Sequence, residues 1–117
     1  MAKGWIGVDL DGTLAHYNGW KGDRSIGQPV PRMVARVKRW LDEGEEVCIF
    51  TARVAEEDPV ARKEIVNAIE RWCVEHIGRV LPVTNVKDFH MIELWDDRAV
   101  QVIPNTGLAV RADGFEG

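Results

Sequence analysis

The sequence predicts an α/β domain built on a mostly parallel sheet. Apolar runs of strand length alternate along the chain with two longer segments in which apolar residues recur at helical spacing. The chain has 117 residues, of which 45% are hydrophobic and 29% charged, the balance of an ordinary globular protein. This length fits one compact domain over residues 1–117. We find no internal repeat or linker-like segment, so we expect a single folding unit.

The first half of the chain predicts a strand, a long loop and a helix. Residues 4–10 (GWIGVDL) are a buried first strand. Residues 12–29 are rich in glycine and polar residues, and a loop of this length in a compact domain is usually functional. Pro31 opens the first helix and Gly44 ends it, because proline suits the first helical position and glycine the position after the last.

The second strand and second helix follow in the same pattern. Residues 46–51 (EVCIFT) form the strand, and Asp58-Pro59 supplies an N-cap and first-turn pair for the helix. Gly78 ends this helix. Its core stripe consists of Ile65, Ala68, Ile69, Trp72 and Ile77.

Three short strands complete the prediction. Residues 80–84, 91–95 and 99–103 are the third, fourth and fifth strands, and Pro82 favours an edge position for the third. Beyond Pro104 the sequence indicates at most a last edge segment that runs to Gly117.

Composition and charge exclude several classes of protein. A formal net charge of -4 argues against wrapping of nucleic acid by general electrostatics. Cys48 and Cys73 lack CxxC spacing and lie in apolar segments, so we expect buried free thiols in a reducing cytoplasm. The N-terminus shows no secretory signal pattern, and no apolar run approaches the ~20 residues that span a bilayer. We therefore expect a cytoplasmic location and no membrane partner.

Two acidic pairs stand at the ends of predicted strands. Asp9 and Asp11 follow the first strand, and Asp96 and Asp97 follow the fourth. The carboxyl ends of parallel strands form the edge at which ligands bind. If strands one and four are neighbours, four self-repelling carboxylates converge there, and Mg²⁺ relieves that repulsion while it binds a substrate phosphate. The sequence therefore predicts a metal and a phosphate at this edge.

The spacing of the first pair suggests roles for both acids. Residues i and i+2 of an extended segment point to the same side, so Asp9 and Asp11 could face one substrate. Asp9 would attack phosphorus, and Asp11 would protonate the leaving oxygen and later deprotonate the attacking water. Gly12 allows a sharp turn. Asp96-Asp97 alone would be read as turn residues, but the whole DLDGT segment with a distant DD favours a site.

Residues after the second and third strands could hold a phosphate. The hydroxyl of Thr51 and the backbone N–H groups of the following loop, at Ala52 and Arg53, are suitable donors. Arg53 could contact phosphate or a substrate carboxylate, or be a surface arginine. Lys87 could neutralise phosphate charge or be a solvated loop lysine, with Lys63 as the alternative lysine.

The long loop carries aromatic and basic residues that could form a flap. Tyr17, Trp20, Lys21 and Arg24 could stack a base or ring beside the site, although loop aromatics are equally often packing anchors. His16 is close enough to the DLDGT turn to line the pocket.

These motifs resemble those of the haloacid dehalogenase (HAD) superfamily of phosphohydrolases. Asp9 to Thr13 is similar to its first motif, Thr51 to its second, Lys87 to its third and Asp96-Asp97 to its fourth. The resemblance implies a three-layer Rossmann-like core with five strands in the order 5-4-1-2-3. It also implies a phosphatase or phosphotransferase rather than a dehalogenase.

The resemblance further implies a role for each motif residue. Asp9 would be nucleophile and metal ligand, and Asp11 the acid/base whose backbone carbonyl also binds Mg²⁺. Thr51 and Lys87 would hold the phosphoryl group, with Gly12, Thr13, Ala52 and Arg53 around it. Asp96 would bind the metal directly, and Asp97 would bind it through water or orient Lys87.

The gaps between motifs leave no room for a cap domain. Residues 14–30 hold only a loop, and 52–86 hold mostly one helix and a strand. The segment WDDRAVQV also resembles small phage-type or bacterial members. Capless members accept macromolecular ends or borrow a neighbouring subunit as a lid, so the substrate could be a nucleotide, a nucleic-acid end or a sugar phosphate. A receiver-like phospho-aspartate module and a catalytically idle binding protein on the same fold are the alternatives.

Overall fold

The central feature of the fold is a parallel sheet. The structure, a computed structural model, describes residues 4–20, 22–111 and 114–116. Within them the sheet contains β1 (Trp5–Val8), β2 (Glu46–Phe50), β3 (Val83–Thr84) and β4 (Met91–Trp95). The order is β3-β2-β1-β4, and every neighbouring pair is parallel. The predicted α/β class is confirmed, and strands one and four are neighbours as expected.

Two α-helices follow β1 and β2 within the described residues. α1 spans Pro31–Asp42 and α2 spans Pro59–His76, each with a proline in its first turn. Asp58 caps α2, because its side chain accepts a 3.1 Å hydrogen bond from the backbone N–H of Ala61. Both helices end two residues before the glycine that marked the predicted end. Neither of them is long and apolar enough to cross a membrane.

Both helices pack on the same face of the sheet. The inward side chains alternate along the central strands, and helix residues from α1 and α2 join them in one buried cluster. That cluster includes Ile6, Val8, Val47, Ile49, Val34, Val37, Ile65, Ile69 and Trp72. Because β1, β2 and β3 succeed one another in the same direction across the sheet, right-handed crossovers place both helices on one side.

The opposite face of the sheet corrects the prediction of three layers. It carries Trp5, whose ring lies 6.5 Å from that of Phe50, and Gly7 beside Met91 and Leu94. No helix of the described residues covers it. The segments that would supply one, residues 85–90 and 96–100, are shorter than the roughly ten residues that a crossover helix needs. The described core therefore has two layers.

The fifth strand also departs from the prediction. β5 (Gln101–Val102) pairs antiparallel with β6 (Ala109–Arg111), which pairs with β7 (Gly114–Glu116) in a separate sheet. The predicted position of residues 99–103 beside the fourth strand, in the order 5-4-1-2-3, is therefore not observed. The turn after Pro104 returns the chain at once, with Ile103 N–H donating to the carbonyl of Leu108. β5 therefore pairs with β6 in a local hairpin instead of with β4 in the main sheet.

Candidate functional site

The two acidic corners meet at the carboxyl edge of the main sheet. Val8 pairs with Trp95 at the ends of β1 and β4, and the N–H of Asp9 donates to the carbonyl of Trp95 at 2.9 Å. Asp9 and Asp96 therefore directly follow the paired last residues of two adjacent strands. The sequence prediction that the DLD and DD turns lie side by side is confirmed.

Asp9, Asp96 and Asp97 form an acidic triad. One carboxylate oxygen from each lies within 4.8 Å of those of the other two. Asp9 and Asp96 are half-buried, and Asp97 is exposed. Carboxylate oxygens are the donors that a hard divalent cation such as Mg²⁺ prefers, so the residues present fit such an ion. Without a cation, the same arrangement concentrates negative charge.

Thr13 links the two corners of the triad. Its Oγ1 accepts a 3.0 Å hydrogen bond from the backbone N–H of Asp97. The same hydroxyl lies 3.1 Å from Asp97 Oδ1 and 3.4 Å from Asp9 Oδ2, and it donates its single hydrogen to one of these carboxylates at a time. Thr13 therefore positions the acids, and its expected contact with phosphate stays a prediction.

The conformation of Gly12 favours glycine, and a side chain at this position would meet the carboxylate of Asp97. Its φ of +92° is a left-handed value that side chains with a Cβ rarely adopt. A Cβ built there would lie 2.5 Å from Asp97 Oδ2. Another residue at this position would therefore strain the turn and displace the exposed carboxylate of Asp97 from its place beside Asp9.

We expect Gly12→Ala to weaken cation binding and to reduce stability. The added methyl group strains the turn and pushes Asp97 away from Asp9, so we expect a loss of about 1–3 kcal/mol in the free energy of unfolding. Urea unfolding and calorimetric Mg²⁺ titration measure the two effects. Gly19→Ala is the matched control, because Gly19 also has a positive φ but meets no atom within 4 Å. Equal Mg²⁺ affinity in Gly12→Ala and wild type would contradict the expectation.

The environment of Asp9 disfavours its charged form. Burial, a hydrogen bond with Asp97 and the nearby charges of Asp96 and Asp97 raise the pKa of Asp9 to about 7 from 3.8. In the metal-free protein this carboxyl group is therefore partly protonated near neutral pH. A cation that binds the triad must displace that proton.

The raised pKa of Asp9 predicts how pH changes the stability of the metal-free protein. The folded state holds this proton more tightly than the unfolded chain, so the stabilisation is complete below pH about 4 and is lost as pH rises through about 7. Asp9→Asn removes this dependence. Because Asp9 is half-exposed, we expect Asn to stabilise the protein by only about 1 kcal/mol more at pH 8 than at pH 5. Urea unfolding in EDTA at both pH values tests this, and an equal effect at both would contradict it.

Asp11 does not join the triad, which corrects the expectation of four converging carboxylates. Its two oxygens accept 2.7 Å hydrogen bonds from Nε and Nη2 of Arg53. β1 ends at Val8 and not at the predicted residue 10, so the alternation of an extended strand does not carry through to Asp11. The expected contact of its backbone carbonyl with Mg²⁺ stays a prediction.

Arg53 ties Asp11 to the long loop. Besides the bidentate pair, its Nη1 donates to the carbonyl of Arg24 at 2.7 Å and its Nη2 to that of Ser25 at 2.9 Å. The predicted phosphate-binding arginine thus already has three partners. Since the pair is largely shielded, with side chains 13% and 21% exposed, it holds the loop against the end of β1.

Thr51 directly follows β2 at the same edge of the sheet. It is buried, and its Oγ1 accepts a 3.2 Å hydrogen bond from the N–H of Arg53. This bond caps a short 3-10 turn over Ala52–Ala55. The turn brings the predicted phosphate-binding residues Thr51, Ala52 and Arg53 to the side of the acids.

One cavity unites most of the predicted site. We name it the acid cavity, and its volume of ≈ 480 Å³ suits a phosphorylated small molecule. It is lined by Asp9, Asp11, Tyr17, Trp20, Thr51, Ala52, Arg53, Asp97 and Arg98. Arg98 lines the cavity without having been expected there, although a cation directly after an acidic pair at a strand end is a usable signal.

A second cavity adjoins the acid cavity. Its volume is ≈ 540 Å³ and it is lined mainly by residues of the long loop, and we name it the flap chamber. Asp11, Tyr17, Trp20 and Arg53 line both cavities, so the two adjoin.

The structure does not bring either predicted lysine to the acid cavity. Lys87 is exposed on the connection between β3 and β4, and Lys63 is exposed on α2. Neither is among the described residues that line the cavity. The connection leads from the end of β3 back to the start of β4, and Asp88 on it accepts a 2.9 Å hydrogen bond from Trp5. This path carries Lys87 away from the acids.

The long loop forms a flap beside the acids. Tyr17 and Trp20 are 49% and 63% exposed, and both line the acid cavity and the flap chamber. His16 and Arg24 line the flap chamber but not the acid cavity, so His16 borders the adjoining space and not the pocket of the acids that was expected. Lys21, the remaining residue of the expected flap, lies outside the described residues.

Comparison with known proteins gives a likeness in fold. No protein-family model and no curated protein matches the chain. A conserved protein from Bacteroides thetaiotaomicron has a similar solved structure, with a TM-score of 0.58 and 21% identity. The match covers 87% of this chain and 82% of that one. At this identity the likeness concerns the fold alone, and it agrees with a Rossmann-like α/β arrangement.

Proposed function

We propose that the protein is a Mg²⁺-dependent phosphatase that hydrolyses phosphomonoesters through an aspartyl-phosphate on Asp9. The observation that carries the proposal is the convergence of the Asp9, Asp96 and Asp97 carboxylates within 4.8 Å at the carboxyl edge of a parallel sheet. Asp11 and a cavity of suitable size lie beside them. This combination suits phosphoryl transfer to a carboxylate.

Asp9, Asp96 and Asp97 would hold the cation. Their donor atoms are all oxygens, which fits Mg²⁺. When bound, the ion would supply positive charge to the phosphoryl group and keep Asp9 ionised.

The chain's own residues suggest a two-step reaction. An oxygen of Asp9 attacks phosphorus, the ester P–O bond breaks, and Asp11 gives its proton to the leaving oxygen. Asp11 then takes a proton from water, which attacks the same phosphorus and releases inorganic phosphate and free Asp9. Thr13 keeps Asp9 in position throughout, through the hydrogen bonds described above.

The Asp11–Arg53 pair suggests how the acid becomes available. Both oxygens of Asp11 accept hydrogen bonds from Arg53, so the guanidinium group occupies them. An arriving phosphate dianion competes for the same guanidinium group. Once Arg53 turns towards the phosphoryl oxygens, Asp11 is released to face the leaving oxygen.

The finer features of the fold and setting belong to the same proposal. The order β3-β2-β1-β4 is the HAD order without its outer strand, which supports a reduced, capless HAD core. The free thiols Cys48 and Cys73 suit a cytoplasmic location. A neighbouring subunit that supplies a lid stays a prediction.

Assays with p-nitrophenyl phosphate test the proposed function. We expect turnover that needs Mg²⁺, stops with EDTA and yields one inorganic phosphate for each p-nitrophenol released. A stable labelled aspartate without turnover would point to a receiver-like module instead. Folded protein that neither hydrolyses nor becomes labelled, with Mg²⁺ present, would overturn the proposal in favour of an idle binding protein.

A further inference from the structure

The position of the flap chamber bears on the substrate. It continues from the acid cavity, because Asp11, Tyr17, Trp20 and Arg53 border both spaces. A phosphoryl group beside Asp9 therefore directs the rest of its molecule towards the chamber. With ≈ 540 Å³, the chamber has the size of a small-molecule site.

The walls of the chamber combine aromatic faces with neutral polar groups. Tyr17 and Trp20 expose about half or more of their surface at the border between the two cavities. Exposed aromatic rings bind the flat faces of bases by stacking. Asn18, Ser25 and Gln28 add hydrogen-bonding groups that suit the polar edges of a planar heterocycle.

The arginines among the described residues that line the chamber are paired. Arg53 forms its bidentate bonds with Asp11, and Arg24 lies 3.6 Å from a carboxylate oxygen of Glu56. The described walls of the chamber therefore offer little positive charge for a second phosphate group. A neutral moiety fits it better than a bisphosphate or a nucleoside diphosphate.

We propose that the flap chamber binds the base of a nucleoside monophosphate whose phosphate lies beside the acidic triad. This inference rests on the proposed function and names its substrate class. Stacking on Trp20 or Tyr17 would hold the base, and the sugar would span the border between the cavities. A sugar phosphate has no base and would therefore make no stacking contact with Trp20 or Tyr17.

The decisive comparison is between AMP and ribose 5-phosphate, which differ by the base. We expect kcat/KM for AMP to exceed that for ribose 5-phosphate by about tenfold or more, since stacking of one base on an aromatic ring has this order of effect. Trp20→Ala should lower kcat/KM for AMP about tenfold and so reduce the ratio between the two substrates. Phe89→Ala is the matched control, because Phe89 is a fully exposed aromatic residue that lines neither cavity.

A binding measurement separates this inference from the proposed function. In the Asp9→Asn background, AMP should quench the fluorescence of Trp20 while ribose 5-phosphate does not, and Trp20→Phe should remove the quenching. Equal affinity and equal kcat/KM for the two compounds would overturn the inference and leave the phosphatase intact. AMP binding without hydrolysis of any phosphomonoester would overturn the phosphatase and support the chamber. A preference for a 5′-phosphorylated dinucleotide over AMP would overturn the proposal of a nucleoside monophosphate and would indicate that the substrate is the phosphorylated end of a nucleic acid.

Discussion

Asp9→Asn is expected to reduce phosphomonoester hydrolysis by on the order of 10⁴-fold or more, because it removes the attacking oxygen. The asparagine side chain has nearly the same size as the original, and it lowers the negative charge of the triad. The variant should therefore fold as well as the wild type. Loss of activity with a retained or raised melting temperature would identify Asp9 as a chemical rather than a structural residue.

Steady-state rates and trapping of labelled phosphate on the protein measure this effect. The matched control is Asp58→Asn, which makes the same chemical change outside the cavity at the cap of α2. Asparagine also caps helices, so this control should keep both stability and activity. Activity retained by Asp9→Asn would contradict the nucleophile assignment.

Asp11→Asn is expected to lower kcat by about 10²- to 10⁴-fold, the usual contribution of a general acid or base. Asparagine can still accept a hydrogen bond from Arg53, and Arg53 keeps its bonds to the carbonyls of Arg24 and Ser25. The loop should therefore stay in place. What is lost is the proton donor for the leaving oxygen and the base for water.

The two lost roles can be told apart by the leaving group. p-Nitrophenolate leaves readily without a proton, so Asp11→Asn should release a burst of about one equivalent of p-nitrophenol and then turn over slowly. An alkyl phosphate needs the proton in the first step and should show no burst. An equal loss of rate for aryl and alkyl phosphates, without a burst, would mean that Asp11 acts only by holding Arg53.

Much of the candidate site could be predicted because its residues stand directly after parallel strands. The run before Asp9 is short and apolar, the run before Asp96 is apolar apart from Glu93, and parallel strands end at a common edge. The meeting of these corners therefore followed from local pattern and sheet geometry. Thr51 and Arg53 were placed correctly for the same reason, since they follow the end of β2.

Other features depended on tertiary contacts that no local pattern reveals. Lys87 precedes the second acidic pair by a few residues in the sequence. Its position depends on the path of the connection 85–90, where Asp88 bonds to Trp5 on the opposite face of the sheet. The ion pair between Asp11 and Arg53 joins residues 42 positions apart. The prediction for the fifth strand was wrong because the apolar pattern of residues 99–103 suits a strand in either sheet. The turn after Pro104 brings β6, and not β4, beside β5.

The pairing of β1 with β4 has a consequence for the order of folding. It joins the two strands of the main sheet that lie farthest apart along the chain, whereas β5, β6 and β7 pair with near neighbours in sequence. Closing so long a loop costs chain entropy, and in the metal-free protein the repulsion among the triad opposes the closure. A bound cation would therefore act as a reversible cross-link between the residues that follow β1 and those that follow β4. It would favour the docking of β4 during folding and slow its detachment during unfolding.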